Sequence, residues 1–336
     1  MIDQPIKTEG ISYMRFLIAI WVVCSLAFPA FGQLDGARVY WPLPMNTNIV
    51  GAHAAFGTMN AAWSNLERIE PRLSVQNSLY LFTYTRHQPI FNRTTMWTVV
   101  LPAGQISTRT SLPNELNEAF FHGLGDPGIS ATINLFGAPG LKAKEYARYD
   151  LNTTVALGVN ATFPLGQYDE DEPLNIGSNQ YKVKFSLPMV KALSAWVPGK
   201  RVALDVIPSL TWLSTNSNSQ GLEIEQDPMV SVESHLSRDL TKKAFISADY
   251  SYLRFGKTTY TSKETGAVIQ ETGAVDTHLL GMTLNFLIND NLQLFLTHLQ
   301  TIGGGDEQLA LEGALFKATL TWSWHAVLQR ARDFHE

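Results

Sequence analysis

Seven ionisable side chains stand out, because by phase they fall on the polar face of alternating stretches: Lys182, Lys184, Asp205, Glu233, His235, Asp249 and Lys317. Side chains two apart on a strand share a face, so Lys182 and Lys184 point one way, as do Glu233 and His235. In each stretch the opposite face is largely apolar. Charges that face an enclosed interior are costly unless they are paired. Both signs occur on neighbouring segments, so ion pairs across an internal space could set a constriction and its selectivity. The same residues could equally do no more than neutralise one another inside a solvated or closed interior.

Other groupings offer less. The run Asp169-Glu170-Asp171-Glu172 supplies oxygen ligands of the kind divalent cations take, including cations that bridge lipopolysaccharide, or it is simply solvated. Gly303-Gly304-Gly305-Asp306 matches a phosphate loop in glycine content alone, with no Lys-Ser or helix after it. A hydrolase built into a barrel wall would need a Ser or Asp nucleophile beside a histidine. His298 is the best-placed histidine, on the apolar phase of 291–302, but no Ser-rich motif lies near it. The single cysteine, Cys24, sits in an N-terminal apolar run that processing would remove, leaving no thiol chemistry and no disulfide. No catalytic residue, cofactor or metal site is expected.

The elements that must carry the seven residues follow from composition and periodicity. The chain has 336 residues, 16% charged and 45% hydrophobic, with a mean hydropathy of -0.03. Soluble domains carry roughly 25% charged residues, and helical membrane proteins are far more apolar. A wall that is apolar outside and polar inside fits both figures. The net charge of -5, without a basic stripe, argues against nucleic acid as a partner. Lys7 and Arg15 precede an apolar run from Phe16 to Phe31, and Ala30-Phe31-Gly32 places small residues before Gln33, the pattern of a secretory signal peptide over 1–32. After Gln33, twelve stretches alternate with a period of two, near 48–59, 73–86, 92–102, 125–137, 151–164, 180–192, 201–215, 227–240, 243–255, 277–288, 291–302 and 312–324. Most exceed the usual 5 or 6 residues of soluble strands, and aromatics gather near their ends at Tyr80, Phe82, Tyr84, Tyr250, Tyr252, Trp322 and Trp324. The connections 87–91, 193–200, 241–242 and 289–290 are short. Those at 60–72, 103–124, 165–179, 216–226, 256–276 and 303–311 are longer, and 138–150 alone breaks the alternation.

This pattern predicts an all-β chain: an antiparallel transmembrane β-barrel of about twelve strands over 48–324, with short periplasmic turns and longer extracellular loops. Residues 33–47, with Pro42 and Pro44, read as an extended N-terminal lead-in, and 325–336 as a C-terminal periplasmic extension. No plug domain, internal repeat or low-complexity tract is evident.

Several phrases occur together in order: Asn92-Arg93-Thr94-Thr95 running to Leu101-Pro102, Gly123-Leu124-Gly125-Asp126-Pro127, and Pro164-Leu165-Gly166-Gln167-Tyr168-Asp169. Asn175-Ile176-Gly177-Ser178-Asn179 and Gln226-Asp227-Pro228 follow. In this order and spacing the chain resembles the outer-membrane proteins named for the meta-cleavage pathway of phenol degradation, a transporter family for small, often hydrophobic or aromatic compounds. The resemblance covers nearly the whole mature chain. Gln180 stands where the pattern has Arg, Lys191 to Trp196 lacks a glycine-rich turn, and the C-terminal extension is additional. The resemblance carries over no catalytic residue.

The expectation is therefore an exported outer-membrane channel giving passive passage to small organic solutes, with outer-membrane lipid, lipopolysaccharide and the barrel-assembly machinery as partners. A lipid-acting barrel enzyme and a non-conducting structural barrel are the alternatives. A barrel of this kind keeps its fold in detergent, so unheated protein will migrate faster than boiled protein on a denaturing gel; identical migration would contradict the barrel.

Overall fold

The computed structural model describes residues 34–63, 73–112, 115–172, 175–305 and 309–325. Residues 1–32, expected as a signal segment and including Cys24, and residues 326–336 of the expected C-terminal extension lie outside these residues. In chain order the elements begin with β1 (Thr47–Trp63), β2 (Leu73–Ile90), β3 (Arg93–Leu112), β4 (Glu115–Leu124), β5 (Gly128–Phe136) and the one-turn helix α1 (Ala143–Tyr146). They continue with β6 (Thr153–Thr162), β7 (Lys182–Ser186), β8 (Met189–Ala192), β9 (Val202–Leu213), β10 (Asn216–Ser219), β11 (Leu222–Gln226), β12 (Met229–Thr241) and β13 (Ala244–Phe255). The last are β14 (Thr258–Ser262), β15 (Val268–Thr272), β16 (Val275–Leu287), β17 (Leu292–Gly305) and β18 (Leu309–His325).

These strands make a closed antiparallel barrel. The wall runs β1, β2, β3, β4 with β5, β6, β7 with β8, β9, β12, β13, β16, β17 and β18, and closes where β18 pairs β1 from Thr47↔His325 to Trp63↔Leu309. Two wall positions are broken strands. Gly125 to Pro127 separates β4 from β5, and Leu187-Pro188 separates β7 from β8, because proline cannot donate to the ladder. Counting each as one gives twelve positions, matching the twelve alternating stretches.

Alternation decides the faces. On β16, Leu280, Met282 and Phe286 are exposed on the outside while Thr283 and Asn285 are buried inside. Ser231, Ser237, Ser247 and Ser251 line the buried face of β12 and β13, and Ser237 and Ser247 have no exposed surface at all. An apolar outer face with a polar inner face inverts the soluble pattern and satisfies a lipid surround, where closure leaves no unpaired sheet edge. Near the end with short turns, Val50 pairs both Tyr84 and Trp322, and Trp322 stacks on Trp324 at 4.9 Å. At the long-loop end the outer aromatics carry polar tips: Tyr250 Oη meets His278 at 2.9 Å and Tyr252 Oη donates to Asp276 at 3.0 Å. Amphipathic rings at both rims are what a bilayer interface favours.

Beyond the membrane the sequence pattern is weaker, and here the structure departs from it. The stretch 103–124, expected as a loop, is a tall hairpin in which β3 runs on to Leu112 and β4 starts at Glu115. The loops 216–226 and 256–276 pair as a four-stranded sheet, β10-β11-β14-β15, around buried Ile224 and Tyr260. Above the bilayer neither face of a strand needs to be uniformly apolar, so hydrophobic alternation no longer marks it. Burial pushes the Tyr260 phenol far above its ordinary pKa.

Three of the motif phrases, 123–127, 164–169 and 175–179, meet at this rim. Asp126 accepts hydrogen bonds from the Gly166 amide (2.9 Å) and from the amide and hydroxyl of Ser178 (2.8 and 2.6 Å). Gln167 adds a bond to the Leu124 amide at 3.1 Å, and Tyr168 Oη donates to the Asn218 carbonyl at 2.6 Å. Gly177 is obligatory: a Cβ there would lie 2.8 Å from the Gln167 carbonyl oxygen and 2.9 Å from the Gly166 carbonyl carbon. Asp126→Ala removes three bonds to one carboxylate, a loss of about 2–4 kcal/mol at roughly 1 kcal/mol or more per bond. The variant should still form the barrel but be cut by protease within 165–179 much faster than the unaltered protein; equal cutting rates would show that Asp126 does not hold this rim.

Candidate functional site

The lumen is not empty. Residues 34–46, expected as an extended lead-in with no plug, fold back from the start of β1 into the barrel and turn at 37–40. Leu34, Ala37, Trp41 and Pro42 are buried there. The reason is electrostatic. Glu233 and Asp205 face inward from neighbouring strands β12 and β9, and the segment's backbone amides supply their donors. Glu233 accepts from the Asp35 amide at 2.9 and 3.1 Å, and Asp205 from the Arg38 amide at 3.0 Å and the Trp41 indole at 3.1 Å. Arg38 takes a left-handed backbone, φ 63°, which costs a non-glycine residue of order 1 kcal/mol or more. Its side chain offsets that strain: Nη1 donates to Asp239 at 2.6 Å and Nε to Ser237 at 2.9 Å. Its guanidinium also lies 4.0 Å from the Trp41 ring centroid and 3.8 Å from that of Phe245. Asp239 is held in turn by Arg201 and the Gly199 amide, both at 2.9 Å. Trp41 packs towards the short-turn end, on Trp196 at 4.5 Å and on Leu151, Val190 and Ala203.

All seven candidate residues lie on the inner face, but they do not form one ion-paired ring. Asp205, His235 and Asp249 occupy one hydrogen-bonded row across β9, β12 and β13. His235 Nδ1 meets Asp249 at 2.8 Å, while its Nε2 faces Glu233 at 3.5 Å, an ion-pair distance rather than a hydrogen bond. Asp249 also accepts from Ser247 and Thr283, both at 2.6 Å. Lys184 pairs Asp35 at 3.0 Å and approaches Glu233 at 4.0 Å, so its main partner comes from the lead-in and not from across the wall. Lys182 and Lys317 are half-buried and make no hydrogen bond or ion pair among the described residues. Sequence reasoning missed Asp35, Arg38, Trp41 and Asp239. Three of these sit in a stretch with no strand periodicity, and Asp239 lies at the end of β12 beside the turn.

The remaining space is a cavity of about 380 Å³, floored by Leu34, Asp35, Val39 and Tyr40 and roofed by rim residues including Tyr168 and Ile176. One wall, from β2 and β3, is apolar: Leu79, Leu81, Met96, Val100, Pro102 and Ile106. The others bring small polar side chains and Lys182, Lys184 and Lys317. The size falls within the roughly 300–1,000 Å³ of single small-molecule sites. Among the described residues, no three His, Cys, Asp or Glu side chains converge as metal ligands. The acidic run is used locally instead: the Asp171 amide donates to Asp169 at 3.0 Å, and Asn218 bonds Glu170. His298 is exposed on the outer face, and no nucleophile bonds it among the described residues.

A closed twelve-stranded barrel with an apolar belt, a polar lumen and an internal N-terminal segment defines a membrane β-barrel of the outer-membrane type. The chain belongs to the family described as "Putative MetA-pathway of phenol degradation", whose model matches residues 59–316. Its fold is similar to that of the COG4313 outer membrane channel from Pseudomonas putida F1, with 18% identity, a TM-score of 0.69, and 87% of this chain and 100% of that one covered. The transport unit of the autotransporter AIDA-I from Escherichia coli is more distant, at 9% identity and a TM-score of 0.49 over 91% of this chain and 97% of that one. A search of curated proteins finds no match.

The anchoring of the lead-in can be tested on its own. Arg38→Ala removes two side-chain bonds to polar partners, one of them charge-assisted and worth about 1.5–3 kcal/mol. Amide exchange at residues 34–41 should accelerate at least tenfold while exchange in β12 and β13 stays slow. Unchanged exchange in the lead-in would mean that Arg38 is not its anchor.

Proposed function

We propose that this protein is an exported outer-membrane channel giving passive passage to small, mostly hydrophobic or aromatic organic compounds. The observation that carries the reading is the cavity of about 380 Å³ between lead-in and rim, with an apolar wall facing polar ones. A lumen of this character replaces a costly crossing of a lipopolysaccharide-covered bilayer with a short path, and its size admits one small solute at a time. On this reading residues 1–32 are the export signal, lipid and lipopolysaccharide contact the apolar belt, and the barrel-assembly machinery inserts the chain.

Purified protein inserted in a planar bilayer should carry a small KCl current. Vesicles containing it should also take up a small aromatic solute too polar to cross lipid unaided. Folded, inserted protein that passes neither ion nor aromatic solute would overturn the channel and favour a structural or enzymatic barrel.

A further inference from the structure

The cavity carries a charge signature opposite to that of the whole chain. The protein has a net charge of -5, yet the charged groups still open to the cavity are lysines. Of the ionisable residues lining it, Asp126 is taken by Gly166 and Ser178, Asp35 by Lys184 and Tyr40, and His53 by Thr319 and Thr83 at 3.0 and 3.1 Å. Lys182 and Lys317 remain. The carboxylates they face are already engaged: Asp126 for Lys182, and Asp35, Glu233 and Asp249 for Lys317.

Their placement relative to the apolar wall is regular. Lys317 pairs Ala55, which pairs Leu79; Lys182 pairs Thr162, which pairs Gly128, which pairs Val100. Each lysine therefore stands on a hydrogen-bonded row that leads around the barrel to an apolar cavity residue. They differ in depth. Lys182 opens β7 just below the rim, whereas Lys317 lies mid-strand beside the lead-in, where a Cβ on Gly36 would sit 3.7 Å from its Nζ.

Resting on the channel reading, we propose that the cavity selects amphipathic monoanions, aromatic or alkyl carboxylates. The carboxylate is received by Lys182 at the rim and passed to Lys317 at the lead-in, while the hydrocarbon body slides along Leu79, Leu81, Met96 and Val100. An ammonium in a partly desolvated lumen attracts a carboxylate far more strongly than it would in water. Two stations, rather than one deep site, let the anion leave as well as enter. Neutral aromatics would use the same apolar wall without that attraction, and aromatic cations would be turned back.

The test measures reversal potentials of the full chain in planar bilayers, at pH 7.5, under gradients of KCl, sodium benzoate and benzylammonium chloride. Benzoate should be more permeant than benzylammonium by about tenfold, the ratio expected from one charge-assisted contact. In Lys182→Gln/Lys317→Gln, shown to be folded by its heat-dependent gel migration, the preference should fall towards one. Lys182→Arg/Lys317→Arg should keep it. KCl current with equal permeability to benzoate and benzylammonium, or a preference unchanged in the glutamine double variant, overturns the proposal and leaves the channel standing. Inserted barrel that passes neither KCl nor benzoate overturns the channel and this proposal together.

Discussion

The buried carboxylates of β9 and β12 are the constraint on which the lumen is built. Glu233, Asp205 and Asp239 face inward, where an unpaired charge would cost several kcal/mol. The wall answers only part of this, through His235 on the same strand, Arg201 just before β9 and Lys184 of β7. The rest is met by the amides of Asp35, Gly36 and Arg38, the Trp41 indole and the Arg38 guanidinium. Successive backbone amides converging on a carboxylate form an anion nest, a dipolar arrangement that stabilises the charge without adding a mobile cation. The lead-in is thus not an accessory laid into a finished barrel. Without it three carboxylates on adjoining strands would repel one another, and with it they become the anchor of the cavity floor.

The rim repeats the logic with one carboxylate. Asp126 gathers donors from Gly166 and Ser178, 40 and 52 positions away at the two ends of one loop, and so draws the 165–179 loop over the barrel. The phrases through which the chain resembles its family, Gly-Leu-Gly-Asp-Pro, Pro-Leu-Gly-Gln-Tyr-Asp and Asn-Ile-Gly-Ser-Asn, are the parts of this knot. Their glycines answer to space: a Cβ on Gly166 would lie 2.6 Å from the Gly125 carbonyl carbon. The motif residues therefore shape the mouth and roof the cavity, while its walls are built mainly from strand residues.

This division explains what was legible in the sequence. Within the bilayer each strand must be apolar on one face and closed into a ladder, so periodicity marks every wall strand and puts all seven ionisable candidates on the inner face. Outside the bilayer that demand lapses, and the β3–β4 hairpin and the loop sheet read as loops. The lead-in was hidden for a different reason. Its pairing is between backbone amides and side chains nearly 200 positions away, Asp35 to Glu233 being 198 apart, and no local pattern encodes such contacts. The Asp35 partner of Lys184 could not be read either, because Asp35 lies outside any strand.

Strand number and filling must be considered together. Eight strands enclose an interior that side chains fill, and sixteen or more leave a water channel. Twelve would leave a pore wide enough to pass solutes with little discrimination. Here the lead-in occupies the short-turn half and the rim knot narrows the other, so the free volume shrinks to about 380 Å³. What is left touches a passing solute on all sides: Leu79 and Met96 on one, Thr211 and the lysines on another, Tyr40 beneath. Selectivity in such a barrel is set by what fills it more than by how many strands surround it. Because the filling is a short segment held by Glu233, Asp205 and Asp239, any change in it must be matched in the wall carboxylates that anchor it.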